Sequence, residues 1–149
     1  MTGAPESSGV YLFLFDLRRE YIGQVGALGQ VHLAAGPYGY VGSARRGLMA
    51  RLARHARRRK PLRWHIDWLA RPADPAGAIA WPWREGRECL LAQALVQTAT
   101  GRRAVPRFGA SDCRCGGHLF ALSEADLHRL AEAVSTQLGE APALIRRYP

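Results

Sequence analysis

The chain has 149 residues, of which 48% are hydrophobic and 22% charged, and its formal net charge is +9. This balance excludes a disordered or fibrous protein, and the length fits one domain, residues 1–149, around a single core. No apolar stretch approaches the roughly 20 residues needed to cross a bilayer, so we expect no contact with a membrane interior.

The N-terminal residues and the cysteines both bear on the cellular compartment of the protein. Residues 1–8 are short, small and polar, without the basic start and apolar middle of a secretory signal. Three cysteines, Cys89, Cys113 and Cys115, cannot all pair within one chain. We therefore expect a cytoplasmic protein without a disulfide framework.

Positive charge is concentrated in one part of the chain. Nine basic residues lie between positions 45 and 63, and no acidic residue occurs between Glu20 and Asp67. Such a run neutralises phosphates and releases counterions, which predicts a nucleic acid as partner. A solvated helix face that only aids solubility is the alternative. The candidate contacts are Arg45, Arg46, Arg54, Arg58, Lys60 and Arg63.

The N-terminal half is predicted to form strands. Residues 10–15 are an apolar and aromatic run typical of a buried central strand. Residues 21–25 and 31–34 predict a hairpin, because a glycine-containing stretch separates them. A further strand is predicted over residues 38–41.

Residues 46–60 have the periodicity of a helix that Pro61 ends. The apolar face carries Leu48, Met49, Leu52, Ala53 and Ala56, and the opposite, basic face carries Arg51, Arg54, His55 and Arg58.

The C-terminal half alternates helices and strands. Its predicted elements are a short helix over 63–70, a strand over 78–83, a helix over 87–99 stopped at Gly101, a loop over 106–117, a strand over 118–122, and a helix begun by Ser123 with Asp126 in its first turn. Pro82 cannot donate to a ladder, which predicts that its strand lies at a sheet edge. The mixture of strands and helices favours an α+β fold.

Glu88 is the most informative polar residue. At helical spacing it shares one face with Leu91, Ala92 and Leu95, which should be buried. A buried carboxylate is costly unless it is paired, hydrogen-bonded or bound to a cation. A salt bridge to an arginine and a metal ligand are both consistent with this placement.

Two tripeptides give the chain a family resemblance. Residues 9–11, Gly-Val-Tyr, and 40–42, Tyr-Val-Gly, resemble the two signatures of the GIY-YIG nucleases. A basic helix bearing Arg51 and His55 follows, and then a helix bearing Glu88, in the order found in that family. The resemblance implies a small domain that is built around a central antiparallel sheet, and a protein that cuts nucleic acid.

The resemblance also implies roles for five residues. Tyr11 and Tyr40 would be the signature tyrosines, Arg51 the active-site arginine, His55 an accessory catalytic residue, and Glu88 the carboxylate that holds Mg²⁺ or Mn²⁺. The cation would stabilise the leaving oxygen, Arg51 would clamp the phosphate, and a tyrosine would position the attacking water. Which tyrosine does so stays open, and core packing is the alternative for either one.

The resemblance is closest to an uncharacterised subfamily found alone or joined to endonuclease III-like glycosylases. Its members share segments like residues 64–67, 88–89 and 108–113, so the resemblance covers most of the chain. Two features depart from the better-known members. Tyr11 and Tyr40 are 29 positions apart, which makes room for the extra hairpin, and Ser43 stands where the repair incision domains carry a lysine.

Several alternatives stay open at this point. A DNA-binding module of the same fold could recruit a repair partner protein without cutting, and RNA is not excluded as substrate. Cys113, Cys115 and His118 invite a zinc site with Cys89 or Asp112, although their spacing does not favour it. His65 and Asp67 are assigned structural roles. The sequence does not determine the oligomeric state.

Overall fold

The computed structural model describes residues 7–109 and 116–149. These residues form eight strands and three α helices, with four strands before the first helix. The strands are β1 Gly9–Leu17, β2 Tyr21–Gln24, β3 Gln30–Leu33, β4 Gly36–Ala44, β5 Ala73–Trp81, β6 Gly101–Arg103, β7 Leu119–Leu122 and β8 Leu144–Arg147; the helices are α1 Leu48–Ala56, α2 Arg87–Gln97 and α3 Leu127–Leu138. Short 3₁₀ helices span Gly26–Leu28 and His65–Leu69.

Six of the strands form one antiparallel sheet in the order β6-β7-β4-β1-β5-β8. The apolar run that predicts a buried strand lies in β1, between β4 and β5. Its side chains alternate between the two faces of the sheet, and both faces are covered, so β1 is apolar at almost every position. The predicted α+β class and the central antiparallel sheet are confirmed.

Each face of the sheet has its own hydrophobic core. On one face Tyr11, Phe13 and Phe15 pack with Leu48 and Leu52 of α1. On the other face Val10, Leu12 and Leu14 pack with residues of α2 and α3, among them Leu91, Leu95, Leu130 and Val134. The sheet is therefore the middle layer of three, with α1 and the second 3₁₀ helix on one side and α2 and α3 on the other.

The extra hairpin is also confirmed. β2 and β3 pair with each other in a separate two-stranded sheet, joined by the 3₁₀ turn Gly26–Leu28. Val25, Val31 and Leu33 bury their side chains in the core on the α1 face. The insertion between Tyr11 and Tyr40 thus packs on the same face of the sheet as α1.

The prediction of an edge strand over residues 78–83 is wrong. β5 ends at Trp81 and lies between β1 and β8, so Pro82 falls just beyond the ladder and interrupts nothing. A second proline, Pro75, does lie inside β5. The β1–β5 register shifts between Leu14 and Phe15 beside it, and such an irregularity tolerates a residue without an N–H donor.

The helices are shorter than the sequence predicts. α1 begins after Gly47, whose φ of 64° is left-handed, and ends where Arg57 turns extended. The predicted helix over 63–70 is a 3₁₀ helix, and α2 ends before Ala99, which has a φ of 57°. Asp126 is the N-cap of α3 and not a first-turn residue, because its side chain accepts a hydrogen bond from the Arg129 N–H at 3.0 Å.

Two strands are absent from the sequence-based assignment. β6 and β8 are the edges of the sheet, of 3 and 4 residues, and each is rich in arginine. Basic side chains on edge strands oppose pairing with other chains, but they also remove the apolar alternation that identifies a strand. No helix within the described residues is long and apolar enough to span a membrane.

Candidate active site

The structure brings five residues of the predicted site to one cleft. A cavity of about 300 Å³ is lined by Tyr11 of β1, Tyr40 of β4, Arg51 and His55 of α1, and Glu88 of α2. They are up to 77 positions apart in the sequence, and it is the pairing of β1 with β4 and the packing of the helices that bring them together. The arrangement is a product of the tertiary fold.

The cleft requires the glycine of the second tripeptide. Gly42 pairs directly with Tyr11 across the β1–β4 ladder. A Cβ atom at position 42 would collide with the hydroxyl of Tyr11. The absence of a side chain at Gly42 therefore leaves the space in which the Tyr11 phenol lies.

His55 is deeply buried beside the two tyrosines. Its Nε2 lies 2.7 Å from the Tyr11 hydroxyl, and its ring contacts those of Phe13, Tyr40 and Trp64 at centroid distances between 5.4 and 5.9 Å. Only 5% of His55 is exposed, and burial together with the nearby Lys60 lowers its pKa to about 3. His55 is thus neutral at physiological pH, and although its spacing places it on the basic face of α1, it is buried in the cleft and not exposed to solvent.

The surroundings of His55 also indicate its tautomer. Nδ1 is buried and makes no hydrogen bond within the described part of the chain. A buried N–H without an acceptor is rarer in proteins than a buried acceptor without a donor. This favours the tautomer in which Nε2 carries the proton and donates it to the Tyr11 oxygen.

Both tyrosines are protonated at neutral pH. Burial raises the pKa of Tyr11 well above its usual value, and the neighbouring Tyr40 raises it further, whereas Arg51 acts in the opposite direction. Burial also raises the pKa of Tyr40, with Glu88 adding to the effect. A phenolate at either position therefore needs an additional positive charge in the cleft.

Ser43 connects the two charged residues of the cleft. The Ser43 carbonyl accepts a hydrogen bond from Arg51 Nη1 at 2.6 Å, and its hydroxyl donates to Glu88 Oε2 at 2.5 Å. The other carboxylate oxygen, Oε1, lies 2.9 Å from Nδ1 of His118. Burial alone would raise the pKa of Glu88, but the contacts with His118 and Ser43 outweigh it and hold the pKa below its ordinary value. Glu88 is accordingly ionised.

The remaining wall of the cleft comes from residues that sequence reasoning did not assign to the site. Trp64, His65 and Gly109 line it, and the Gly109 N–H donates to His65 Nδ1 at 2.8 Å. This hydrogen bond places the His65 proton on Nε2. Trp64 packs under the guanidinium groups of Arg51 and Arg54, at 5.1 and 4.5 Å from its ring centroid. The sequence signal for these wall residues is that they lie in segments 64–67 and 108–113, which are part of the family resemblance.

The six predicted nucleic-acid contacts fall into two groups. Arg54 is bound by both oxygens of the buried Asp67, at 2.7 and 3.0 Å, and the buried Lys60 ammonium donates to the last carbonyls of α1. Arg58 bonds Asp74 and the Arg71 carbonyl, although its side chain is exposed. The remaining three keep exposed guanidinium groups without an ion pair in the described residues; they are Arg45, which lies over the Trp83 ring, Arg46 and Arg63.

The zinc alternative falls mainly outside the described residues. Cys113, Cys115 and Asp112 are among the residues that the structure does not describe. Over residues 7–109 and 116–149, no group of three or more His, Cys, Asp or Glu side chains is placed to hold a metal ion. The prediction's other two residues, Cys89 and His118, both lie in the described part of the chain, and His118 contacts Glu88.

The fold and the cleft define a small antiparallel α+β domain with a polar cleft flanked by arginines. Residues 10–140 match the family described as domain of unknown function DUF123, and the chain belongs to that family. The match runs from β1 to beyond the end of α3 and includes all five predicted cleft residues. Comparisons with curated proteins and with solved structures gave no match.

Proposed function

We propose that this protein is a metal-dependent endonuclease of the GIY-YIG type that hydrolyses phosphodiester bonds in DNA. The observation that carries the proposal is the convergence of Tyr11, Tyr40, Arg51, His55 and Glu88 on one cleft. The two tripeptides occupy the neighbouring central strands β1 and β4, with Tyr11 opposite Gly42. A carboxylate, an arginine and a hydroxyl in one cleft are the groups that phosphodiester hydrolysis requires.

Charge supports a polyanionic substrate. The chain has a formal net charge of +9. Arg63 lines the cleft with an exposed guanidinium group, and the exposed Arg45 and Arg46 closely follow the cleft residue Ser43 in the chain. Counterion release makes binding by such groups favourable and strongly dependent on salt. DNA is the proposed substrate, and cleavage in repair or recombination is the proposed setting.

Glu88 is suited to hold Mg²⁺ or Mn²⁺. Its side chain is 31% exposed, faces the cleft and has a pKa below the ordinary value, so a charged oxygen ligand is available at neutral pH. Mg²⁺ commonly binds proteins through one or two carboxylates, with water and substrate phosphate completing the shell, so a single carboxylate is sufficient. When bound, the cation polarises the phosphate and stabilises the leaving oxygen.

The other residues bind and orient the reacting groups. Arg51 uses Nη1 for the Ser43 carbonyl, and a guanidinium has five N–H donors, so others remain to bind a phosphate oxygen. Tyr11 orients the attacking water through its hydroxyl. The Nε2–H of His55 donates to the Tyr11 oxygen and would stabilise the phenolate formed when Tyr11 loses its proton to solvent. That phenolate would then accept a proton from the attacking water.

The test is cleavage of supercoiled plasmid and of branched DNA, with Mg²⁺ or Mn²⁺ and with EDTA. Wild type and Glu88→Gln are prepared in parallel, so that a contaminating nuclease appears in both. Nicking by the wild type that EDTA stops and that Glu88→Gln lacks supports the proposal. If both proteins bind DNA with a steep salt dependence and neither cuts, the protein is instead a non-catalytic DNA-binding module.

Tyr11→Phe is expected to slow cleavage by about 10²–10⁴-fold, the usual contribution of a general acid–base group. Tyr40→Phe should have a smaller effect, because the hydroxyl of Tyr11 is the one that contacts His55. Single-turnover rates on saturating DNA measure both. A larger loss for Tyr40→Phe would transfer the role of orienting water to Tyr40.

Arg46→Ala and Arg63→Ala are expected to weaken DNA binding without changing the fold. Each lost phosphate contact reduces the slope of log K against log salt by about 0.9. Fluorescence anisotropy at several salt concentrations measures the slope, and Arg146→Ala in β8, at the far edge of the sheet, is the control. Equal slopes for all three variants would place the DNA on another surface.

A further inference from the structure

The carboxylate of Glu88 is contacted on both oxygens by residues that have no assigned role. Ser43 lies in β4 and donates to Oε2, and His118, just before β7, lies beside Oε1. Because β4 and β7 are neighbours in the sheet, the two contacts come from one rigid platform. Glu88 belongs to α2, which is not part of the sheet. The orientation of its carboxylate relative to the sheet therefore depends on these two contacts.

His118 is held firmly at this position. Only 2% of the residue is exposed. Its backbone N–H donates to the Phe108 carbonyl at 2.7 Å, and its carbonyl accepts from the Val41 N–H at 2.9 Å. These bonds fix the backbone of His118, and its burial leaves the imidazole little room to change rotamer. A side chain so fixed is suited to orient a partner.

We propose that Ser43 and His118 are positioning residues that clamp the two oxygens of Glu88 and so fix the direction in which the carboxylate presents its free lone pairs to a divalent cation. In this arrangement the Ser43 hydroxyl donates to Oε2, and Nδ1 of His118 lies 2.9 Å from Oε1, which places its N–H within reach of that oxygen. A carboxylate oxygen has two lone pairs, so one on each oxygen stays available. The inference rests on the proposed function, since the cation belongs to that proposal.

Ser43 also links the clamp to the arginine of the cleft. The Ser43 carbonyl binds Arg51 while the Ser43 hydroxyl binds Glu88, so one residue sets the spacing between the cationic and the anionic group. Groups that orient a metal ligand commonly affect metal affinity by about 10–100-fold. An effect of that size is expected here.

A matched pair of substitutions tests the contact at His118. Asparagine places an amide N–H where histidine has Nδ1, so His118→Asn keeps the donor to Oε1. Glutamine places its amide where histidine has Nε2, so His118→Gln loses that donor at a similar side-chain volume. Ser43→Ala removes the second donor from a half-buried position, where the substitution does not threaten folding.

Binding of Mn²⁺ to the DNA-free protein, measured by calorimetry, is the first readout. We expect His118→Gln and Ser43→Ala each to weaken binding by about 10–100-fold and His118→Asn to stay near wild type. Cleavage rates should fall through kcat, with KM for DNA unchanged. Wild-type Mn²⁺ affinity in His118→Gln, or no rescue by a folded His118→Asn, would overturn the clamp.

Crystal structures of Ser43→Ala and of His118→Gln separate this inference from the proposed function. If wild type and Glu88→Gln bind Mn²⁺ equally, the metal site of the proposed function fails, and the clamp is then judged by the Glu88 carboxylate alone. A carboxylate that rotates away in the variants supports the clamp. A carboxylate that keeps its wild-type position in both variants refutes it.

Discussion

Glu88→Gln is expected to reduce cleavage at least about a thousandfold, since a cation acting as Lewis acid contributes several kcal/mol and each 1.4 kcal/mol is a factor of ten in rate. Glutamine keeps the size of the side chain and can still accept from Ser43, so the fold should be retained. DNA affinity should be unchanged or slightly higher, because the substitution removes a negative charge from the cleft proposed to bind phosphate. Single-turnover cleavage and anisotropy on one preparation measure both quantities.

Glu85→Gln is the matched control for this experiment. Glu85 precedes α2 by two residues and is exposed, so the same change of charge occurs near the cleft without touching it. Its cleavage rate should equal that of the wild type. A comparable loss in both variants would mean that general electrostatics, and not a bound cation, determines the rate.

The lowered pKa of Glu88 also predicts the pH dependence of cleavage. Glu88 stays ionised below the pH at which an ordinary glutamate, of pKa about 4.3, takes up a proton. Cleavage by the wild type should therefore persist into mildly acidic solution, as far as folding permits. A rate that falls with a midpoint well above that value would assign the acidic limb to another group.

Asp67→Ala is expected to destabilise the protein by about 3–5 kcal/mol, the usual cost of breaking a buried ion pair. The Asp67 side chain is fully buried; it binds Arg54 with both oxygens and accepts the N–H groups of Arg63 and Trp64, each at 2.8 Å. Removing it leaves the largely buried Arg54 guanidinium without a carboxylate partner. A loss of this size is a large part of the 5–15 kcal/mol typical of a domain.

Denaturant unfolding of Asp67→Ala measures this loss, and Asp74→Ala is its control. Asp74 also binds two arginines, Arg18 and Arg58, but near the surface, where water screens the charges, so only a small change is expected. Similar losses for the two variants would contradict a special contribution from burial. Asp67 also lies 4.0 Å from the Lys60 ammonium, so each carboxylate has two ion pairs and the comparison varies their exposure.

The wild type and Asp67→Ala should also differ in how their stability depends on pH in acid. Burial alone would raise the pKa of Asp67, but the hydrogen bonds from Arg54, Trp64 and Arg63 outweigh it and lower the pKa. The stabilisation is therefore complete above the unfolded pKa of about 3.9 and is lost as the pH falls through the lower folded value. Stability of the wild type should decline more steeply in this range than that of Asp67→Ala.

The Asp67–Arg54 ion pair joins two elements that line the cleft. Arg54 belongs to α1, which carries Arg51 and His55 to the cleft, and Asp67 belongs to the 3₁₀ helix that follows Trp64 and His65. The ion pair thus fixes two walls of the cleft to each other. Sequence reasoning assigned Asp67 a structural role, and its contacts agree with that assignment.

Sequence reasoning placed the five cleft residues on the right elements but could not assign their surroundings. Tyr11 and Tyr40 are on adjacent strands, and Glu88 shares the apolar side of α2, as the spacing predicts. The partners of Glu88 are Ser43 and His118, 45 and 30 positions away. In the described residues no arginine forms a salt bridge with Glu88, and no local pattern of the sequence predicts either partner. Helical and strand periodicities report only which face a side chain occupies.

His55 illustrates the same limit on a single helix. Seen alone, α1 has a basic face to which His55 belongs by spacing, and a water-exposed histidine is the simplest expectation. The β1 and β4 aromatic side chains instead surround it, which lowers its pKa to about 3 and joins it to Tyr11. Burial was decided by what α1 packs against.

The sequence by itself determined the fold class, the central strand, the extra hairpin and the basic segment, because these depend on local apolar patterns and on charge that any packing would keep. Only the tertiary structure decided which arginines are bound by carboxylates and which are not. It also decided that β5 is internal and that residues 144–147 form an edge strand of the sheet. Those outcomes depend on contacts between residues far apart in the chain, and the free energy of such a contact is set by burial, which no local window of sequence contains.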